Sequence, residues 1–496
     1  MFVSATQWIE RKTPRLSRCL EHNIWLRHMP SVVALVAGLL LPFTIVWKED
    51  ADYHHKDYAE FAASAECWLH DSRNIYLNCY AQTPNYPVVG VLASAGALSG
   101  LKTISGVKDN AQVVGLFRFY LAIFGALNFI LVWQLARLLK LRHAVWIGLL
   151  IAALPSSWAG GELWGQIDGI SQFFLLACIC CFIVSIQSDA DRHSIHSFVY
   201  FACGLLMLVV FLLTKQFAVF SLPAIGALAL LAGFKLCTSG SKLYGVMATV
   251  AASLLAFALF WFLDSRLEVP GGYYGSSYLF VWLGGGSSKK IHHFSHHGFN
   301  IWRLLINVNS DPSKPFGFAQ LRDRDYYLTP FITPLYSGIA LYISYVFAIT
   351  ASYFAIVWKQ ALRPDYLLRD SIQMRFIIAT LVLYIAQVNL GFNVLLPGTH
   401  ERYLCHFFPF LILSAFFFLQ QKILFSICPV LFFIGVALMY GCYVSSAVHL
   451  VLFQVSVRAM ATASLLLLGY LFVSSFRLIQ YSKCVASPTG NLATHL

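Results

Sequence analysis

A chain of 496 residues that is 58% hydrophobic, 16% aromatic and only 11% charged cannot be an ordinary water-soluble domain, where charged residues approach about a quarter of the total. Apolar windows of about 17 residues or more recur from end to end, which is the signature of a polytopic helical membrane protein. The formal net charge of +12 gathers in short loops, so it reads as a topology signal and an attraction to anionic membrane lipid, with no nucleic-acid partner implied.

In chain order the windows predict about twelve spanning helices, at roughly 31–48, 112–136, 143–160, 169–187, 196–213, 217–234, 243–264, 330–358, 373–391, 404–420, 424–445 and 448–476. No small-residue cleavage site follows the first, which therefore reads as a retained helix. Arg11, Lys12, Arg15, Arg18 and Arg27 precede it, Arg137, Lys140 and Arg142 follow the second, Lys359, Arg363 and Arg369 follow the eighth, and Arg477 and Lys483 follow the last. An even number of spans puts all of them on one side, so both termini are expected in the cytoplasm. The expected organisation is one transmembrane domain over 1–496, a first external loop at 49–111, a second at 266–329 and a cytoplasmic tail at 477–496. Most of the 12 cysteines lie in apolar spans as small hydrophobes. Cys67 and Cys79 share the first external loop, where an oxidising compartment would allow a bridge.

This topology places four polar clusters on the outer face. The first loop carries Asp50, Asp52 and Asp57, then "TPNYPVVG" from Thr83 to Gly90; "GELWGQID" runs from Gly161 to Asp168, "LTKQF" from Leu213 to Phe217, and "PGTHERYL" from Pro397 to Leu404. Ionisable groups at span ends are costly unless they face water or protein, so their shared sidedness suggests a single polar cavity. Each also has a plainer reading. Asp52 and Asp57 fit solvated loop caps, Lys215 fits a snorkelling interfacial lysine, and Glu401 with Arg402 fits an interfacial ion pair. His292, His293, His296 and His297 have ligand-like spacing, but no carboxylate sits within their motif, and they read as solvated loop histidines.

At these residues the chain resembles the GT-C glycosyltransferases. "DYAEFAASAECWL…NIYLNCYAQTPNYPVVGVL" is similar to the first loop of polyprenol-phosphate-sugar mannosyl- and glucosyltransferases. "LWGQID" and "TKQFAVFSLPA" resemble segments of bacterial members, "FSHHGFNIW" matches another at Asn300 and Trp302, and "GTHERYLCHFFPFL" is close to a further "HERYL" segment. The matches fall in order over residues 50–410. Two departures stand out: Asp50 and Asp52 compete with Asp57, and the family's second proline after the tyrosine turn is replaced by Val88.

The resemblance implies an all-α GT-C bundle and a donor sugar, glucose or mannose, on a polyprenyl monophosphate such as undecaprenyl phosphate. It also implies an envelope glycan, such as lipopolysaccharide, or a lipid-linked glycan as acceptor. The expected home is a bacterial inner membrane, with an endoplasmic-reticulum membrane left open. An acceptor hydroxyl must lose its proton as it attacks the anomeric carbon, so a carboxylate base is needed. Asp57 is favoured by its "DYxxF" register, with Asp52 next and Asp168 as a further option. One base and direct displacement imply inversion. The leaving phosphate needs positive partners, for which Lys215, His400 and Arg402 are the candidates, with Glu401 orienting Arg402. Gln166, Asp168, Asn300 and Tyr86 are expected to touch sugar hydroxyls or hold loops, and Trp164 and Trp302 to stack on a sugar or anchor at the interface. No metal or other cofactor is expected, because one phosphate can be met by side chains alone. Two rival readings are a transporter and an O-antigen-type polymerase or ligase. The latter would use Arg266, Lys289, Lys290, Arg303, Arg322 and Arg324 of the second loop.

Overall fold

The computed structural model describes residues 24–48, 55–79, 86–107, 110–158, 165–188, 194–238, 242–269, 275–282, 300–305, 334–361, 372–397, 401–421 and 450–485. These residues are helical throughout, joined by short connections. Ten helices among them are long and apolar enough to cross a membrane, and Ala144–Ala153 and Leu404–Gln420 are shorter apolar segments. The chain is thus an all-α polytopic membrane protein.

The helices are α1 Ile24–Lys48, α2 His55–His70, α3 Ile75–Asn78, α4 Val88–Ser105, α5 Asn110–Leu138, α6 Ala144–Ala153, α7 Pro155–Trp158, α8 Asp168–Gln187 and α9 Ser194–Thr214. After them come α10 Leu222–Thr238, α11 Lys242–Asp264, α12 Ser277–Trp282, α13 Trp302–Leu305, α14 Pro334–Ala361, α15 Ile372–Leu395, α16 Phe408–Gln420 and α17 Leu450–Val485. The expected span at 424–445 lies outside the described residues. The one expected at 143–160 is broken at Leu154, which is extended because Pro155 disfavours helical backbone in the residue before it.

Polar bonds sort the helix termini into two ends. At one, Gln187 donates to the Leu138 carbonyl (3.2 Å), Gln420 to that of Lys140 (3.3 Å), and Lys235 to those of Ile186 and Ser188. At the other, Lys215 meets Asp168, Ser221 donates to Asn389 (3.0 Å), and the Trp302 indole donates to the Leu395 carbonyl (2.8 Å). This second end gathers the polar clusters and is called the site end below.

The segment 49–111, expected as a helical external loop, contains α4, which is as apolar as a spanning helix. This helix begins against Thr214, with Gly90 so close that an added Cβ would collide with the Thr214 carbonyl oxygen. It ends at Gly106, four residues before α5 begins, so both of its ends belong to the site end. Its apolar residues Val88, Val91, Ala93, Ala95 and Leu98 bury against Phe61, Tyr76, Phe117 and Leu213. They face protein, which hydropathy cannot distinguish from lipid.

Helix α15 is the centre of the bundle. Every residue of its apolar window is buried within the protein, against 11% for that of α11, whose Leu254, Leu255, Phe257 and Trp261 face outward. Enclosure lets α15 carry polar side chains, because Thr380, Gln387, Asn389 and Asn393 find partners inside. Gln387 accepts from Tyr353 (2.9 Å) and Ser475 (3.1 Å) and donates to the Leu471 carbonyl (2.6 Å).

Cys67 and Cys79 are joined by a disulfide, Cα to Cα 6.0 Å, tying the end of α2 to α3. With a sequence separation of 12, the closed loop is worth about 3 kcal/mol. In the full-length protein, neither thiol should react with a maleimide until a reductant is added. Labelling without reductant would mean that the bridge does not form.

Candidate active site

Tyr86 is the hub that attaches the first loop to the bundle. The backbone from Tyr86 to Val88 is held from two directions: Tyr76 donates to the Tyr86 carbonyl (2.5 Å), and the Val88 amide donates to Ser277 Oγ (3.2 Å). Burial pushes the Tyr76 phenol well above its ordinary value, and the nearby Asp264 carboxylate adds to this, so Tyr76 remains a donor at neutral pH. Asp264, 2% exposed at the end of α11, accepts from Ser277 Oγ (2.7 Å), the Tyr278 amide (2.7 Å) and Ser276. These bonds fix the turn whose Pro87 opens α4 with extended backbone.

The Tyr86 hydroxyl donates to the Gln166 side-chain oxygen Oε1, and both side chains are buried. Gln166 follows Gly165, whose φ of +75° is a left-handed value that glycine adopts without strain. Two residues on, Asp168 opens α8, where a carboxylate meets the positive end of the helix dipole. It pairs with the Lys215 ammonium, and the two side chains are 0% and 2% exposed. Lys215 is extended between the end of α9 and the 3-10 turn Gln216–Ser221. Its ammonium also lies 5.8 Å from the centre of the Tyr86 ring. The "NYP", "GQID" and "TKQF" segments therefore meet at one locus.

Two more segments close on it. The 3-10 turn Glu401–His406 ends with His406 beside Phe211 (ring centres 6.2 Å apart), lining the same pocket as Lys215. Positions 401 and 402 lie on this turn, and His400 lies outside the described residues. Asn300 is fully buried; next to it the Ile301 amide donates to the Val394 carbonyl (2.8 Å) at the end of α15. Trp302, 2% exposed, donates its indole N–H to the Leu395 carbonyl, which anchors the ring at the end of α15.

Of the acids, Asp57 stands in the first turn of α2, one turn before Phe61. Phe61 packs on Tyr86 and Phe117 with ring centres 6.2 and 6.3 Å apart, so α2 is docked against the hub by its second turn. Asp52, Trp164, the four loop histidines and most of the second loop lie outside the described residues.

The pocket beside Lys215 is also lined by Ser171, Ser221 and Asn389, and none of them, nor His406, stands out in the sequence. Ser221 is a single polar residue in an apolar run, while Ser171 adjoins Gln172 and Asn389 lies between Gln387 and Asn393, so none is marked out from its neighbours. His406 carried one available signal, since it sits within the "HERYLCH" stretch.

No protein-family profile matches the chain, and neither does any curated protein. Among solved structures it is similar to ArnT from Cupriavidus metallidurans bound to undecaprenyl phosphate, at 14% identity, over 92% of this chain and 78% of that one, with a TM-score of 0.43. It is also similar to the apo oligosaccharyltransferase of Archaeoglobus fulgidus, at 12% identity, over 93% of this chain and 56% of that one, with a TM-score of 0.43. The chain thus spans little more than half the length of that oligosaccharyltransferase.

Proposed function

We propose that this chain is a GT-C-type glycosyltransferase that moves a hexose, glucose or mannose, from a polyprenyl-phosphate donor to an envelope glycan or lipid-linked acceptor. In this reading the site end faces the outside of a bacterial inner membrane and both termini are cytoplasmic. The observation that carries it is the meeting of segments far apart in the chain around Tyr86, Gln166, Asp168 and Lys215. They are the same segments that resemble the family one by one.

The chemistry follows from the charges. Asp57 takes the proton of the acceptor hydroxyl as that oxygen attacks the anomeric carbon, so the sugar is transferred with inversion. The departing phosphate gains charge and needs cations. Lys215 is already paired with Asp168, so Arg402 and His400 carry most of that task, with Lys215 anchoring the pocket floor. Glu401 orients Arg402. A single phosphate met this way calls for no metal.

The test is transfer from radiolabelled polyprenyl-phosphate glucose and mannose, by the full-length protein in proteoliposomes, to a panel of envelope acceptors. One acceptor should gain label with an inverted anomeric configuration. Movement of intact donor lipid between leaflets, with no label transferred to any acceptor, would favour the transporter reading instead.

A further inference from the structure

The pocket beside Lys215 has a donor–acceptor pattern of its own. Ser221 Oγ spends its proton on Asn389 Oδ1 (3.0 Å), and Asn389 in turn donates to the Ile385 carbonyl (2.9 Å). The Ser221 oxygen therefore meets a guest only as an acceptor. Ser171, 1% exposed in the first turn of α8, lines the same pocket, and its hydroxyl has no partner among the described residues. A buried hydroxyl left in this state is unfavourable unless a guest completes it. Phe211, Phe392 and Ala218 supply apolar walls, and the pocket is narrow enough for one small group and not a whole ring.

An anionic guest fits this pattern poorly. A phosphate oxygen only accepts hydrogen bonds, so it would face the lone pairs of Ser221, whereas the Ser171 hydroxyl and the Lys215 and His406 side chains on the other walls can donate. It would also bring charge next to a Lys215–Asp168 pair that is already neutral, at a large desolvation cost. A hydroxyl both donates and accepts, and its carbon suits the phenyl walls. We propose that this pocket receives one hydroxyl-bearing arm of the transferred sugar, with Ser171 and Ser221 as its hydrogen-bond partners, while the donor phosphate stays outside it. The proposal rests on the donor reading above and assigns a sugar subsite within it.

The experiment measures binding of polyprenyl-phosphate glucose, polyprenyl-phosphate mannose and bare polyprenyl phosphate to the full-length protein in nanodiscs, for wild type, Ser171→Ala and Ser171→Val. Losing one neutral hydrogen bond should weaken binding of at least one sugar lipid by about 3- to 10-fold in Ser171→Ala. The added methyl groups of Ser171→Val should weaken it further. Bare polyprenyl phosphate should bind all three proteins alike, and the alanine variant should melt no lower than wild type, because an unpartnered buried hydroxyl has been removed. Equal losses for bare and sugar-loaded lipid would make this a phosphate pocket and overturn the proposal. Unchanged sugar-lipid affinity in both variants would reduce it to a water site and overturn the proposal equally. Wild-type protein that binds no lipid at all would overturn the donor reading itself, and this subsite with it.

Discussion

Asp57→Asn is expected to lower turnover by about 100-fold or more in the transfer assay, while the affinity for the donor lipid stays near that of wild type. The substitution keeps the size and most of the hydrogen bonding of the side chain but cannot accept a proton, so it isolates chemistry from folding. The position is suited to such a test. It lies in the first turn of α2, and the next turn is held against Tyr86 by Phe61. Asp52→Asn should be much milder. A reversed ranking would transfer the base to Asp52 and leave the reaction class intact. Full activity in both single variants and in the double variant would remove the first-loop carboxylate from the mechanism, and most of the case for the family with it.

Breaking the Lys215–Asp168 pair is expected to have the second largest effect, this time on stability. Both side chains are almost completely enclosed, so Lys215→Met or Asp168→Asn alone strands one charge without its partner, a loss of about 3–5 kcal/mol. The double variant removes both charges and should recover much of that loss, giving a coupling above the usual range of roughly 0.5–3 kcal/mol. The check is a double-mutant cycle on unfolding of the protein from detergent micelles, read alongside donor binding. Strictly additive losses would mean that the pair does not form in the folded protein. A double variant that regains stability but not donor use would separate the structural role of the pair from its place in the site.

Much of the candidate site is legible in the sequence, though only as separate pieces. Tyr86, Gln166, Asp168 and Lys215 each stand out as a polar residue at the edge of an apolar span. That Lys215 is neutralised by an aspartate 47 residues away is not legible there, nor is the fate of Trp302 as an internal anchor. His406, Ser171 and Asn389 do not stand out because polar neighbours such as Arg402, Gln172 and Gln387 share their segments, and sequence does not say which of them lines a pocket.

Hydropathy and length are properties of a single segment, and a spanning helix must satisfy its own backbone hydrogen bonds, so the all-α polytopic class and the approximate helix limits were determined by sequence alone. Which helix is central, and which apolar helix stays at one end, depended on contacts between segments. Lipid tails are as apolar as leucine, so hydropathy alone does not separate α15 at the heart of the bundle, α11 on its outside and α4 across its end. The Cys67–Cys79 bridge and the meeting of Tyr86, Gln166, Asp168 and Lys215 are pairings over 12 to 80 residues of chain. Such pairings are decided by packing, which brings those residues together only once the helices have docked.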